Sequence, residues 1–86
     1  MTPTAPELSA WIRQWLAQKL AMPLSSIEEE DPLSAYGVDS MMVMEFEAEI
    51  SEHLGFEWPV RELLIRDPAI RELAAKGAAL AREARP

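Results

Sequence analysis

The chain has 86 residues, enough for one domain whose core stays modest, since chains this short bury only roughly 60–65% of their unfolded surface. An apolar fraction of 49% with a net charge of −7 argues for a folded acidic domain and against disorder; that charge repels nucleic acid. With no cysteine and one histidine, His53, disulfides, thiolate metal sites and most acid–base pairs are excluded. No apolar run nears the ~20 residues that cross a bilayer and no leader opens the chain, so no membrane contact and a cytoplasmic location are expected.

Met1 to Ala5 holds Pro3 and reads as a frayed lead-in. Thr4 is placed to cap a first helix with Pro6 at its start and Glu7 in its first turn, the favoured order. Leu8, Trp11, Ile12, Trp15, Leu16 and Leu20 then recur at helical spacing, leaving Arg13, Gln14 and Lys19 outward. Pro23 disfavours helical geometry at Met22 and closes this helix. From Pro23 to Val38 runs a long connection with an acidic stretch; loops of this length are functional or pinned by their own side chains. Ile27, Leu33 and Tyr36 are the expected pins, with the acids between them staying wet and about one turn of helix.

A second helix is predicted from Asp39 to Leu54, ended by Gly55. At about 100° per residue, Val43, Phe46, Ile50 and Leu54 face the core. Met41, Glu45, Ala48 and Glu52 fall opposite, with Met44 at the margin. No Lys or Arg lies between Leu20 and Val60, while the same stretch holds ten acids. A solvated acidic face would explain this for solubility alone. Thioethers set among the carboxylates point instead to an adaptable contact surface for basic partners. Beyond it Phe56 and Trp58 alternate inward, and a short third helix from Val60 to Arg66 carries Leu63 and Leu64. Asp67-Pro68 offers a cap-plus-proline start to a last helix with a stripe of mostly small side chains, Ile70, Leu73, Ala74, Ala78 and Ala81; Arg82 to Pro86 are expected to fray. Nothing alternates with period two, so the chain reads as all-α, one domain over residues 1–86.

The most informative spot is Tyr36-Gly37-Val38-Asp39-Ser40-Met41. Gly37 supplies a turn, Asp39 a helix cap, and Ser40 is presented in the first turn, where free N–H groups and the helix dipole favour a phosphate. An Asp-Ser pair alone reads more simply as a cap followed by a tolerated first-turn residue. The surroundings reverse that. Asp31-Pro32-Leu33, the Ser40 segment, Glu45-Phe46, Leu54-Gly55 and Asp67-Pro68-Ala69-Ile70 together resemble, in order and spacing, the acyl carrier protein family, over Trp11 to about Ala75. Within the family the flavour is that of modular polyketide synthases and of carriers served by acyl-adenylate ligases.

The resemblance implies a four-helix bundle with a short third helix and a long loop between helices one and two. It implies that Ser40 bears 4′-phosphopantetheine, added from coenzyme A by a phosphopantetheinyl transferase, with Asp39 and Gly37 belonging to the attachment motif. The chain would then be a non-catalytic, monomeric carrier holding an acyl or polyketide group as a thioester. Its partners would be an acyl-adenylate ligase or acyltransferase and a ketosynthase or other polyketide or peptide synthase domains. Helix two is the family's recognition element, which nominates Met41, Met44, Glu45, Ala48 and Glu49 as contacts. Met41 stands where the family usually has Leu, a volume-conserving change, and Trp58 where a smaller aliphatic residue is commoner. A peptidyl carrier of a non-ribosomal peptide synthetase is the near alternative, and an unmodified acidic helical module the distant one.

Overall fold

Thr4 starts the first helix by a reciprocal cap. Its hydroxyl accepts from Glu7 N–H at 3.2 Å, and the Glu7 carboxylate accepts from Thr4 N–H at 2.8 Å, so two orphan donors are satisfied at once. The bond from Thr4 N–H, foremost, holds the Glu7 carboxyl below its ordinary range. The computed structural model describes residues 2–84. In it α1 spans Ala5–Leu20, α2 Ser40–Leu54, α3 Val60–Leu64 and α4 Ile70–Glu83. These are the four α-helices among the described residues; no strand occurs there, and no helix is long and apolar enough to cross a membrane.

The apolar stripe of α1 packs chiefly on α4. Leu8, Ile12 and Leu16 are fully buried with Phe46 and Ile50 of α2, Val60 of α3, and Ile70 and Leu73 of α4; each contributes about 1.5–3 kcal/mol by leaving water. The small stripe on α4 lets the helices close up. Ala74, Gly77, Ala78 and Ala81 are buried, and Trp58, only 3% exposed, lies against the bare backbone of Gly77. Trp58 therefore covers the core floor.

Several boundaries differ from the sequence expectation, each for a local reason. α1 closes at Ala21, which adopts a left-handed conformation (φ 53°), before Pro23 is reached. α3 stops at Leu64 rather than Arg66, with Ile65 just beyond it left 84% exposed. Asp67-Pro68 does not cap α4. Asp67 itself turns left-handed (φ 55°), and both its carboxylate oxygens accept from the Ser34 hydroxyl (2.7 and 2.9 Å). The helix begins at Ile70, where Glu72 reaches back to Ala69 N–H, and it includes Arg82 and Glu83. On α2, Val43 is only partly buried, and Met42 packs against the core beside Phe46. Phe56 is likewise half-buried.

The long α1–α2 connection holds two 3-10 turns, Leu24–Ser26 and Leu33–Tyr36, rather than one. Ile27 and Leu33 pin it in the core and Tyr36 packs at its edge. Its acids do not all stay wet. Glu29 accepts from the buried Ser9 hydroxyl at 2.7 Å, Asp31 accepts from Tyr36 Oη at 2.9 Å, and Glu30 pairs with Arg71 at 2.8 Å. Backbone bonds from Ile70 N–H to Asp31 O and from Arg71 N–H to Glu29 O stitch the loop to the start of α4. The acidic run is thus half structural.

Tyr36 Oη also accepts from Glu28 N–H at 2.7 Å. Partial burial, foremost, pushes its phenol above the ordinary range, and the Glu45 hydrogen bond does the same for Lys19. Both groups have folded pKa values raised over the unfolded ones. Their contributions are complete below the unfolded values, about pH 10, and are lost as pH rises through the folded ones. Thermal melts from pH 8 upward should therefore show stability falling in that alkaline window. Tyr36→Phe should cost about 1 kcal/mol at neutral pH and flatten part of the fall.

Candidate functional site

The turn ahead of α2 is built by the backbone. Gly37 closes the second 3-10 turn at φ 76°, its N–H bonded to Ser34 O at 3.2 Å. A Cβ placed there would meet nothing within 4 Å. The demand for glycine is therefore conformational rather than one of space, since L side chains resist that left-handed geometry. Asp39 follows in extended conformation, and its carboxylate accepts from Met42 N–H at 2.9 Å. The first intrahelical bond runs from Val43 N–H to Asp39 O at 3.0 Å. That leaves the N–H groups of Ser40 and Met41, the first two of the helix, as donors facing outward at its positive end.

Ser40 is the first residue of α2 and is exposed. Beside it Met41 is 73% exposed and, one turn on, Met44 is 61% exposed. Replacing Asp39 with Ala should cost about 1 kcal/mol through loss of the cap. Urea unfolding would show it as a lower midpoint at unchanged slope, with Asp39→Asn close to the parent.

The outer surface of α2 is divided between its neighbours. Glu45 and Glu49 lean toward α1, where Lys19 Nζ lies 3.0 Å from Glu45 and 3.5 Å from Glu49. Met44 and Ala48 lean the other way, into an open cleft of about 640 Å³ whose far wall is Glu57, Trp58, Pro59 and Arg61. The five α2 positions singled out from the sequence therefore do not form one uniform strip: an acidic edge lies along α1 and a thioether edge along α3.

Two residues of this cleft carried no signal in the sequence. Glu47, half-buried, accepts from Arg61 N–H at 3.4 Å and pairs with Arg61 Nε at 3.4 Å. A carboxylate from α2 thus serves the opening turn of α3, whose own N-cap, Pro59, provides no side-chain bond. Ser51 Oγ accepts from Trp58 N–H at 3.0 Å and donates to Trp58 O at 3.4 Å, fixing the returning strand of chain under which the cleft opens. Only helical phase would have hinted at either, because their partners are reached through the turn.

Comparison with known proteins bears on this arrangement. Residues 10–76 match the family described as a phosphopantetheine attachment site. The chain is 36% identical to polyketide synthase ThaG of Burkholderia thailandensis, over 95% of this chain and 2% of that protein. It is 38% identical to the hybrid PKS-NRPS synthetase pynA of Aspergillus niger, over 85% of this chain and 2% of that protein. A third relative, the highly reducing polyketide synthase NEC1 of Pyricularia oryzae, is 42% identical over 70% of this chain and again 2% of the longer one. The chain thus spans about 2% of the length of these curated relatives.

Proposed function

Because the chain belongs to the phosphopantetheine-binding acyl carrier family, whose members carry a covalently attached 4′-phosphopantetheine, we propose that Ser40 is the residue that bears it. The observation that carries this reading is the exposed hydroxyl at the first position of α2, beside two outward backbone donors, on a turn set by Gly37 and Asp39. Those residues fit the group: Ser40 Oγ would form the phosphodiester, and the Ser40 and Met41 N–H groups favour its negative charge. Asp39, its carboxylate spent on the cap, holds the turn in shape and stands at the edge a modifying transferase must approach. When bound, the arm supplies a terminal thiol that holds cargo as a thioester, chemistry that a chain with no cysteine cannot supply itself.

On this reading residues 1–86 act as one carrier domain with no catalysis of its own. The cargo is an acyl or polyketide intermediate, a choice supported by the polyketide synthase names of the three relatives. It is loaded by an acyltransferase or acyl-adenylate ligase and passed to a ketosynthase or similar domain. Met41, Met44 and Ala48 form the apolar part of the docking face, with Glu45 and Glu49 as its charged edge. Holding cargo on a tether raises its concentration at a docked enzyme to roughly millimolar. The test is incubation of the purified chain with coenzyme A and a broad-range phosphopantetheinyl transferase. A mass gain of one arm supports the proposal; an unchanged mass leaves only an acidic helical module.

A further inference from the structure

One residue of the α1–α2 connection joins two left-handed turns that are distant in the chain. The first, at Gly37 (φ 76°), leads into Asp39 and Ser40. The second, at Asp67 (φ 55°), lies between α3 and α4, where Asp67 N–H bonds to Leu64 O at 3.0 Å. Ser34 bonds to both. Its carbonyl accepts from Gly37 N–H at 3.2 Å, and its hydroxyl donates to the two Asp67 carboxylate oxygens at 2.7 and 2.9 Å.

Asp67 holds its turn against two local preferences. L side chains resist positive φ, and a residue ahead of proline is steered to extended backbone. Glycine would enter this conformation freely, so what Asp67 adds is its carboxylate. The rest of the connection shows where that carboxylate matters. Ile70 N–H to Asp31 O (2.9 Å) and Arg71 N–H to Glu29 O (2.8 Å) tie residues 29–31 to the start of α4, and Pro32 bridges to Ala69. Past Pro32 those backbone ties stop. Leu33, Tyr36 and Val38 pack on the core, which holds the segment down without fixing its twist, because apolar contact is non-directional. The Tyr36 Oη bonds to Glu28 and Asp31 stay within the connection. Over residues 33–38 the Ser34–Asp67 bond is the one hydrogen bond, among the described residues, that reaches another part of the bundle.

Given the reading of Ser40 as the loading residue, on which this rests, we propose that Ser34 and Asp67 are positioning residues for arm transfer. Asp67 fixes Ser34, Ser34 fixes the Gly37 turn, and that turn sets the direction from which Ser40 Oγ meets the donor. In the transfer, Ser40 Oγ bonds to the coenzyme A phosphorus that carries pantetheine. The bond from that phosphorus to the adenosine-side phosphate breaks, adenosine 3′,5′-bisphosphate leaves, and the hydroxyl proton passes to a base of the transferase. A displacement of this kind depends steeply on the alignment of the attacking oxygen. The Ser34–Asp67 bond therefore acts on the rate of the bound complex. It acts little on docking, since neither side chain needs to touch the transferase.

The experiment measures steady-state loading of the full chain by a broad-range phosphopantetheinyl transferase and coenzyme A, with amide exchange of the 15N-labelled chain beside it. Ser34→Ala and Asp67→Gly, which keeps the left-handed turn but removes the acceptor, should each lower kcat about fivefold, with KM within about twofold. Both should still reach the mass of one arm. Ser34→Thr and Asp67→Asn, which keep a donor and an acceptor, should load near the parental rate. The double variant Ser34→Ala with Asp67→Gly should be no slower than either alone, as expected of two residues acting through one bond. The Gly37 amide should exchange about threefold faster or more in both disabling variants, with the Val43 amide unchanged. Gly77→Ala controls for stability, since its contacts are Leu8 and Trp58. Parental kcat in Ser34→Ala, an unchanged Gly37 amide, or equal slowing by Gly77→Ala would each overturn the positioning role while leaving Ser40 as the attachment residue. A parent chain that takes no arm would overturn the carrier reading and this role together.

Discussion

Ser40→Ala should abolish arm loading completely while leaving the fold as it is. In the parent chain, coenzyme A and a phosphopantetheinyl transferase should add the mass of one arm; in the variant, none. The loss is total because the modification is a covalent bond to one oxygen, and no neighbouring group can stand in for it. Stability should barely move. Ser40 is exposed and its hydroxyl is not the cap, a task performed by Asp39. A surface change of this kind falls within about 0.5 kcal/mol, or about 2–4 °C in midpoint for a chain of this size. Other hydroxyls serve as controls. Ser34 is exposed but donates to Asp67, and Ser25 lies in the first 3-10 turn; alanine at either should load fully. Loading that survives in Ser40→Ala would move the attachment elsewhere.

Gly77→Val should be the most damaging single substitution in the core among those that remove no contact. A Cβ on residue 77 would stand 2.6 Å from Leu8 Cδ2 and 2.7 and 2.9 Å from two ring carbons of Trp58. Leu8 and Trp58 are both buried, so neither has room to swing away. Overpacking of this sort costs about 3 kcal/mol, a lowering of the thermal midpoint on the order of 15 °C. Gly77→Ala is the milder companion, because the gain in helix propensity, about 1 kcal/mol, offsets part of the strain. Calorimetry of the two variants checks the ranking. A Gly77→Val chain as stable as the parent would mean that α4 can slide off α1 without loss, against the packing seen here.

The two substitutions mark the limits of what could be read in advance. The segment from Gly37 to Met41 was legible because its information is local: a left-handed glycine, a capping carboxylate and a hydroxyl lie within four consecutive bonds of chain. The core face of α2 was legible at Phe46 and Ile50, which sit in the middle of the stripe. It slipped at Val43, which is only partly buried, while Met42 packs against the core. The start of α4 was misread because Asp67-Pro68 has the composition of a cap, while Ser34, far away in sequence, draws the Asp67 carboxylate into a different turn.

Periodicity, proline and glycine placement, and the one-signed charge of the central stretch by themselves determined the number of helices, their rough extents, the all-α class and the position of Ser40. Each of these depends on residues within a few turns of one another. Tertiary structure alone decided where Trp58 goes, which acids are structural and which are free, and that the outside of α2 divides into an edge facing α1 and an edge facing α3. Those outcomes depend on side chains meeting across the bundle, as Glu29 meets Ser9, Glu45 meets Lys19 and Glu47 meets Arg61. Such meetings are set by helix packing, and no local spacing in the chain encodes them.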